Sequence, residues 1–125
     1  MTDSEKTSKI LIGATVNYVR FSYQVDIGFL GGVNRKNKYA VLQIEAPFEL
    51  IIKGEKYIVD PEDISTIAPA ISLLHNEVVN IRISSDYILE VLFGTDTSIT
   101  VKPVQKFEAW NISGDNIPLI VAKGT

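Results

Sequence analysis

The chain of 125 residues contains no cysteine and a single histidine, His75. Without cysteine there are no disulfide bonds, no thiolate metal sites and no cysteine nucleophiles. A catalytic or metal-binding histidine needs partners close in space, and the sequence offers His75 no second histidine. We therefore expect His75 to be a structural residue in the last turn of a helix, and we predict neither a metal nor any other cofactor.

Basic residues are also scarce relative to acidic ones, because the formal net charge is -3. Proteins that bind nucleic acids usually carry a basic stripe, so this balance argues against a nucleic-acid partner. No apolar run approaches the ~20 residues that a membrane-spanning helix needs. The N-terminal MTDSEKTSK lacks the apolar core of a signal peptide. These absences predict a cytoplasmic protein that contacts neither nucleic acid nor membrane.

The length and the hydrophobic fraction of 46% suit one domain that can bury a core. We predict a flexible polar tail over residues 1–9 and a single domain over residues 10–125. Two similar β-rich halves, residues 10–59 and 77–122, are joined by a helical segment at residues 60–76. The predicted fold class is mostly β (α+β).

The segment at residues 60–76 has the signals of a helix. Asp60 is a suitable N-terminal cap, and Pro61 fits the first helical position. Apolar residues then recur at spacings of three and four, which predicts one buried stripe: Ile64, Ile67, Ile71 and Leu74. Because Pro69 removes a hydrogen bond, we expect one broken central helix, and Asn76 is a plausible left-handed stop.

The two β-rich halves resemble each other in sequence. Residues 16–22 (VNYVRFS) match residues 78–84 (VVNIRIS), and residues 23–29 (YQVDIGF) match residues 87–93 (YILEVLF). Alternation of apolar and polar residues in these stretches is typical of half-buried strands. The repeat predicts a duplicated β-meander that forms a sandwich or a half-open barrel.

The halves differ where the first places polar residues or glycine on its outer face. Ile88 and Leu92 replace Gln24 and Gly28 there. Aligning Phe107 with Phe48 also matches Trp110 with Ile51, which places Trp110 on the face opposite to that of Phe107 and Ala109. An exposed apolar patch is usually covered or used for binding. Two interpretations stay open: the helical segment covers this face, or a partner binds it. The candidate interaction surface consists of Ile88, Leu92, Trp110 and Glu108.

Other candidate groups favour structural roles. Glu45, Glu49 and Glu108 could lie near one another, but alternation places Glu49 and Glu108 in solvent, and no substrate-binding groups accompany them. Arg35 belongs to the loop GGVNRKNK, which reads as a solvated hairpin tip. We therefore predict no catalytic residues.

Residues 107–114 read FEAWNISG and are followed after three residues by PLIV. This stretch resembles the C-terminal signature of a bacterial family of unknown function: aromatic, Glu, Ser or Ala, Trp, x, Ile, x, Gly. The resemblance covers residues 10–122 in pattern and implies two β-halves separated by a short helix that ends in Leu-Leu, as at Leu73-Leu74. Some members lie beside toxin and immunity genes, which implies an accessory or immunity-type protein without an established activity.

We expect a non-catalytic module that binds another protein or itself and acts by occlusion. One alternative is a small-molecule binder or enzyme that uses a barrel interior, with Tyr18, Tyr23 and Tyr87 as its polar edge. The other alternative is a structural module of a larger assembly.

Overall fold

The computed structural model describes residues 2–94, 96–105 and 107–122, and these residues form a β-sandwich with short helical segments at its sides. The last residues of the predicted domain, 123–125, lie outside this description. In chain order the elements are α1 (Asp3–Ile10), β1 (Thr15–Phe21), β2 (Val25–Leu30), β3 (Tyr39–Ile44), β4 (Phe48–Ile52), β5 (Glu55–Val59), two 3-10 helices (Ile64–Thr66 and Ala68–Leu73), β6 (Asn80–Ile83), β7 (Leu89–Phe93), β8 (Thr97–Val101), β9 (Trp110–Gly114) and β10 (Ile117–Ala122).

The strands pair into two antiparallel sheets. The first sheet has the order β1-β2-β3-β9-β10, and the second has the order β5-β4-β8-β7-β6. The predicted mostly-β fold is confirmed in its sandwich form. The strands do not close into a barrel, so the barrel alternative does not describe this fold.

The sequence repeat is visible in the strand order. Each half contributes its three-stranded meander to one sheet and its final hairpin to the other. Replacing β1–β5 by β6–β10, and the reverse, converts the order of one sheet into the order of the other. The halves are therefore interlocked through exchanged hairpins, and neither sheet is built from one half alone.

The space between the sheets is filled by apolar side chains from both halves. Alternation along each strand sends every second residue inward, where these side chains lose contact with water. The largest fully buried side chains are Trp110, Phe29, Leu11, Ile27, Leu42, Ile44, Leu50, Leu73, Ile81, Leu89, Ile99 and Ile112.

The N-terminal segment is a helix, so the prediction of a flexible tail is wrong for residues 3–9. Thr2 caps α1 by accepting a hydrogen bond from the Glu5 N–H at 3.1 Å, and the Thr2 hydroxyl donates to the Glu5 carboxylate at 3.1 Å. This Thr-x-x-Glu pattern is a capping-box signal that was visible in the sequence. The helix packs against β6 and β10 and thus covers one side of the sandwich.

The central helical segment covers the opposite side, where it packs against β1 and β5. The segment is broken into two short helices, as predicted, but both are 3-10 helices. Its buried residues, Ile67, Ala70 and Leu73, follow the three-residue turn of a 3-10 helix. The predicted stripe is wrong in part, because Ile64 is 85% exposed. The left-handed stop is His75, with φ 68°, and not Asn76.

Candidate functional site

Two residues of the predicted surface, Ile88 and Leu92, belong to the outer face of the second sheet. β7 buries Leu89, Val91 and Phe93, so the alternating residues Glu90 and Leu92 point away from the core. The same alternation in β4, β5, β6 and β8 gives this face its other members: Glu49, Ile51, Lys56, Ile58, Asn80, Arg82, Ser98 and Thr100. The central helical segment packs on the edges of the sandwich at β1 and β5, so the interpretation that it covers this face is not supported.

Four apolar residues form what we call the outer patch: Ile51, Ile58, Ile88 and Leu92. Ile51 and Leu92 are both register partners of Ser98, so they flank one β8 residue at a separation of about 10 Å. Ile58 pairs with Glu49 and is 52% exposed, whereas the other three are half-buried. The sheet thus presents aliphatic side chains to solvent at several points across its width.

Two shallow hollows lie on this face beside the outer patch. One, of about 200 Å³, includes Pro47, Ile58 and Lys102 in its lining. The other, of about 360 Å³, includes Ile51 and Leu92. Hollows of this size can receive single side chains of a partner, which is how anchor residues contribute most to binding.

Charged residues of both signs lie among and beside the residues of the outer patch: Glu90 stands between Ile88 and Leu92 along the chain, and Glu49 is the register partner of Ile58. Lys56 Nζ lies 2.9 Å from Glu49 Oε1, and this hydrogen bond lowers the pKa of Glu49. Arg82 and Glu90 are cross-strand partners. Charges of both signs therefore occur on this face.

The predicted interaction surface does not stay together in the fold. Ile88 and Leu92 share the outer face of the second sheet. Glu108 is exposed, but it immediately precedes β9 in the first sheet. Trp110 is 0% exposed, and its Nε1–H donates to the Tyr87 carbonyl at 2.9 Å inside the protein.

Trp110 faces inward because the two halves align in the structure with a different register from the one read from the sequence. The repeat matches Leu42 of β3 with Ile99 of β8; Leu42 pairs with Ile112, and Ile99 pairs with Leu50. Trp110 therefore corresponds to Phe48 and not to Ile51. The shared Phe-Glu dipeptide gave an alignment shifted by an odd number of residues, and such a shift reverses the face to which a strand residue points.

Arg35 is a structural residue that the sequence analysis placed at a solvated loop tip. The residue is 5% exposed, and its guanidinium donates to three carbonyls, those of Gly31, Tyr39 and Asp115. Burial lowers the pKa of Arg35. It joins the β2–β3 loop to the β9–β10 turn, so this guanidinium is not free to contact a phosphate.

The tyrosines proposed for an interior site lie outside the core. Tyr23 is 93% exposed and Tyr87 is 43% exposed. The Tyr18 ring covers Gly28 on the outer face of the first sheet. An interior polar edge made of these three residues is therefore wrong.

Beside Tyr18, a buried carboxylate stabilises the first hairpin. Asp26 accepts from Arg20 at 2.7 Å and from Gln24 at 2.7 Å. The hydrogen bond to Asp26 raises the pKa of Arg20, whose guanidinium also lies 5.7 Å from the centroid of the Tyr18 ring. Every charged group here has a partner, which is typical of a structural cluster.

Groups that could hold a metal ion are not found among the described residues. His75 is exposed, and its backbone N–H donates to the Val16 carbonyl at 2.9 Å. Within the same residues, the helices are too short and too polar to cross a membrane.

Comparison with known proteins places the whole sandwich in one family. No curated protein and no solved structure matches the chain. The model of a family of unknown function (DUF6188) matches residues 7–124, which include both halves and the FEAWNISG stretch. The chain therefore belongs to this family of unknown function, DUF6188.

Proposed function

We propose that this chain is a non-catalytic module that binds another protein through the outer face of its second sheet. The observation that carries the proposal is the outer patch, Ile51, Ile58, Ile88 and Leu92, on a sheet face that the helical segments leave open. Apolar groups in this arrangement are costly in water and gain free energy when a partner covers them.

The charges around the outer patch support a specific contact. Charged groups within an interface select the partner and its orientation. Glu49 and Lys56 already form an ion pair, and Arg82, Glu90 and Lys102 are further charged groups on or beside this face. The fitting partner presents apolar side chains to the two hollows and carries carboxylates opposite Arg82 and Lys102.

The biological class follows from the resemblance at FEAWNISG. We propose that the chain is bacterial, acts in the cytoplasm and serves as an immunity-type or accessory protein. In such a role it would act by occlusion: the sheet face covers the working surface of the partner. Occlusion requires no catalytic group, in keeping with the structural roles of Arg35, Asp26 and Trp110.

Two tagged variants and the wild type test the proposal in a capture experiment from the native cell. Leu92→Glu puts a charge into the outer patch. Val41→Glu is the matched control, because Val41 is a half-buried aliphatic residue on the outer face of the other sheet. Both variants must first show the circular dichroism and unfolding midpoint of a folded protein.

We expect one protein to be retained by the wild type and by Val41→Glu but lost by Leu92→Glu. Binding of that protein in purified form should then weaken by at least about tenfold on Leu92→Glu. Equal retention by both variants would show that the outer patch is not the contact. A dimer of this chain that dissociates on Leu92→Glu, with no other protein captured, would replace the proposed partner by a second copy.

A further inference from the structure

The helix α1 occupies a position equivalent to that of the central helical segment. The central segment precedes β6 and packs against β1 and β5. The helix α1 precedes β1 and packs against β6 and β10. Exchanging the two halves converts one set of contacts into the other. Each segment therefore covers one side of the sandwich, where two edge strands, β6 and β10 or β1 and β5, would otherwise be open to pairing with another chain.

The two covers differ in how well they fill their sites. The central segment buries Ile67, Ala70 and Leu73 in the core. In α1 the buried residue is the polar Thr7. Hollows adjoin α1 on both sides: one of about 570 Å³ includes Arg82 and Ile83 of β6, and one of about 290 Å³ includes residues of β10.

Thr7 weakens the attachment of α1 further. Its side chain is 0% exposed, and its Oγ1 has no hydrogen-bond partner among the residues that the structure describes. A buried hydroxyl without a partner costs free energy that it regains when water reaches it. An isolated helix of this length is also unstable in water, so tertiary contacts must hold α1 in place.

We propose that α1 is a displaceable cover that opens as a unit while the sandwich stays folded. The hinge is Leu11, which caps the helix and is itself fully buried in the core. Opening uncovers the edge of β6, where the Ile81 N–H is bonded to the side chain of Asn80 at 2.9 Å instead of to a strand. An uncovered edge of this kind can accept an added strand from another chain, at a place separate from the outer patch.

The absence of cysteine allows a direct test with single thiols at matched positions. Thr7→Cys places a thiol under α1, and Ala70→Cys places one under the central segment; both positions are 0% exposed. Each full-length variant reacts with a chromogenic aromatic disulfide in native buffer and at increasing low urea concentrations. The urea unfolding midpoint of each variant is measured in parallel, so that its thiol reaction rate can be compared with its own global stability.

We expect the thiol at position 7 to react at least about 100-fold faster than the thiol at position 70, because local opening requires less free energy than global unfolding. Its rate should also depend weakly on urea, since local opening exposes little surface. Equal rates that rise together with urea would overturn the proposal.

Hydrogen exchange of the unaltered chain gives a second test that needs no substitution. Amides of Thr7 and Ile10 should exchange before those of β6 and β7, and Thr7→Val should slow their exchange by removing the unpartnered hydroxyl. The same substitution at Thr100, on the outer face of β8, should leave α1 unchanged. Exchange of α1 amides only in step with the strands would contradict a separate opening.

Discussion

Replacing Trp110 by phenylalanine should distinguish a core residue from an interface anchor. The side chain is 0% exposed, and its Nε1–H donates to the Tyr87 carbonyl at 2.9 Å. Phenylalanine removes this hydrogen bond, at a cost of about 1 kcal/mol, and leaves a cavity that costs about 1–2 kcal/mol more. We therefore expect the free energy of unfolding to fall by about 2–3 kcal/mol.

Urea unfolding followed by far-ultraviolet circular dichroism measures this change without relying on the tryptophan signal. For a chain of this size the midpoint should move down by about 1–2 M. Phe107→Leu is the matched control in the same FEAWNISG stretch, because Phe107 is 49% exposed and should change stability by about 0.5 kcal/mol or less. A Trp110→Phe variant as stable as the control would refute the inward placement of the indole.

Three further predictions concern other contacts. Arg35→Met should lower the free energy of unfolding by about 2–4 kcal/mol, because the carbonyls of Gly31 and Asp115 lose this donor and the Tyr39 carbonyl keeps only the Asp115 N–H. Lys36→Met in the same loop should have little effect. Equal effects in chemical unfolding would show that Arg35 does not hold the two loops together. Gly28→Ala should lower the free energy of unfolding by about 1–3 kcal/mol, because the new methyl group meets the Tyr18 ring. In a Tyr18→Ala background the same substitution should lower it much less. An equal loss in both backgrounds would exclude that clash. The pKa of Glu49 is lowered by Lys56, so the pair contributes stability above the unfolded-state pKa of Glu49 and loses it as the pH falls through the folded-state pKa. Lys56→Met should raise the pKa of Glu49 in an NMR titration, and an unchanged value would show that the pair is absent in solution.

The architecture could be predicted from the sequence because the repeat and the alternation act locally. Arg20 matches Arg82, and their strand partners, Asp26 and Glu90, match as well. Alternation of side chains along a strand then identifies the inward face without knowledge of the partner strand. The exchange of hairpins between sheets could not be predicted, because the local pattern of β4 is the same whichever sheet it joins.

The helical regions were predicted less well, for two physical reasons. The Thr-x-x-Glu pattern of a helix start is present at Thr2 and Glu5, but the polar composition of residues 1–9 favoured a tail. In the central segment, apolar residues occur at both α-helical and 3-10 spacings. Packing against β1 and β5 selects the 3-10 set, Ile67, Ala70 and Leu73, and that selection depends on tertiary structure.

The face on which each candidate residue lies could be predicted from the sequence only in part. Ile88 and Leu92 were correctly placed on an outer face, because their strand alternates cleanly. Trp110 was misplaced, because a dipeptide match fixed the wrong register. Ile51 and Ile58 were missed as residues on the same face as Leu92, since the β5–β4, β4–β8 and β8–β7 pairings together bring them there.

Lysine labelling of the chain in complex with its captured partner tests the central claim most directly. Lys56 and Lys102 border the outer patch, whereas Lys36 lies in the exposed β2–β3 loop and serves as an internal reference. We predict that an amine-reactive reagent modifies Lys56 and Lys102 at least about tenfold more slowly in the complex than in the free chain, with Lys36 unchanged. Equal modification of Lys56 and Lys102 in both states would show that the partner binds elsewhere and would contradict the proposed function of this face.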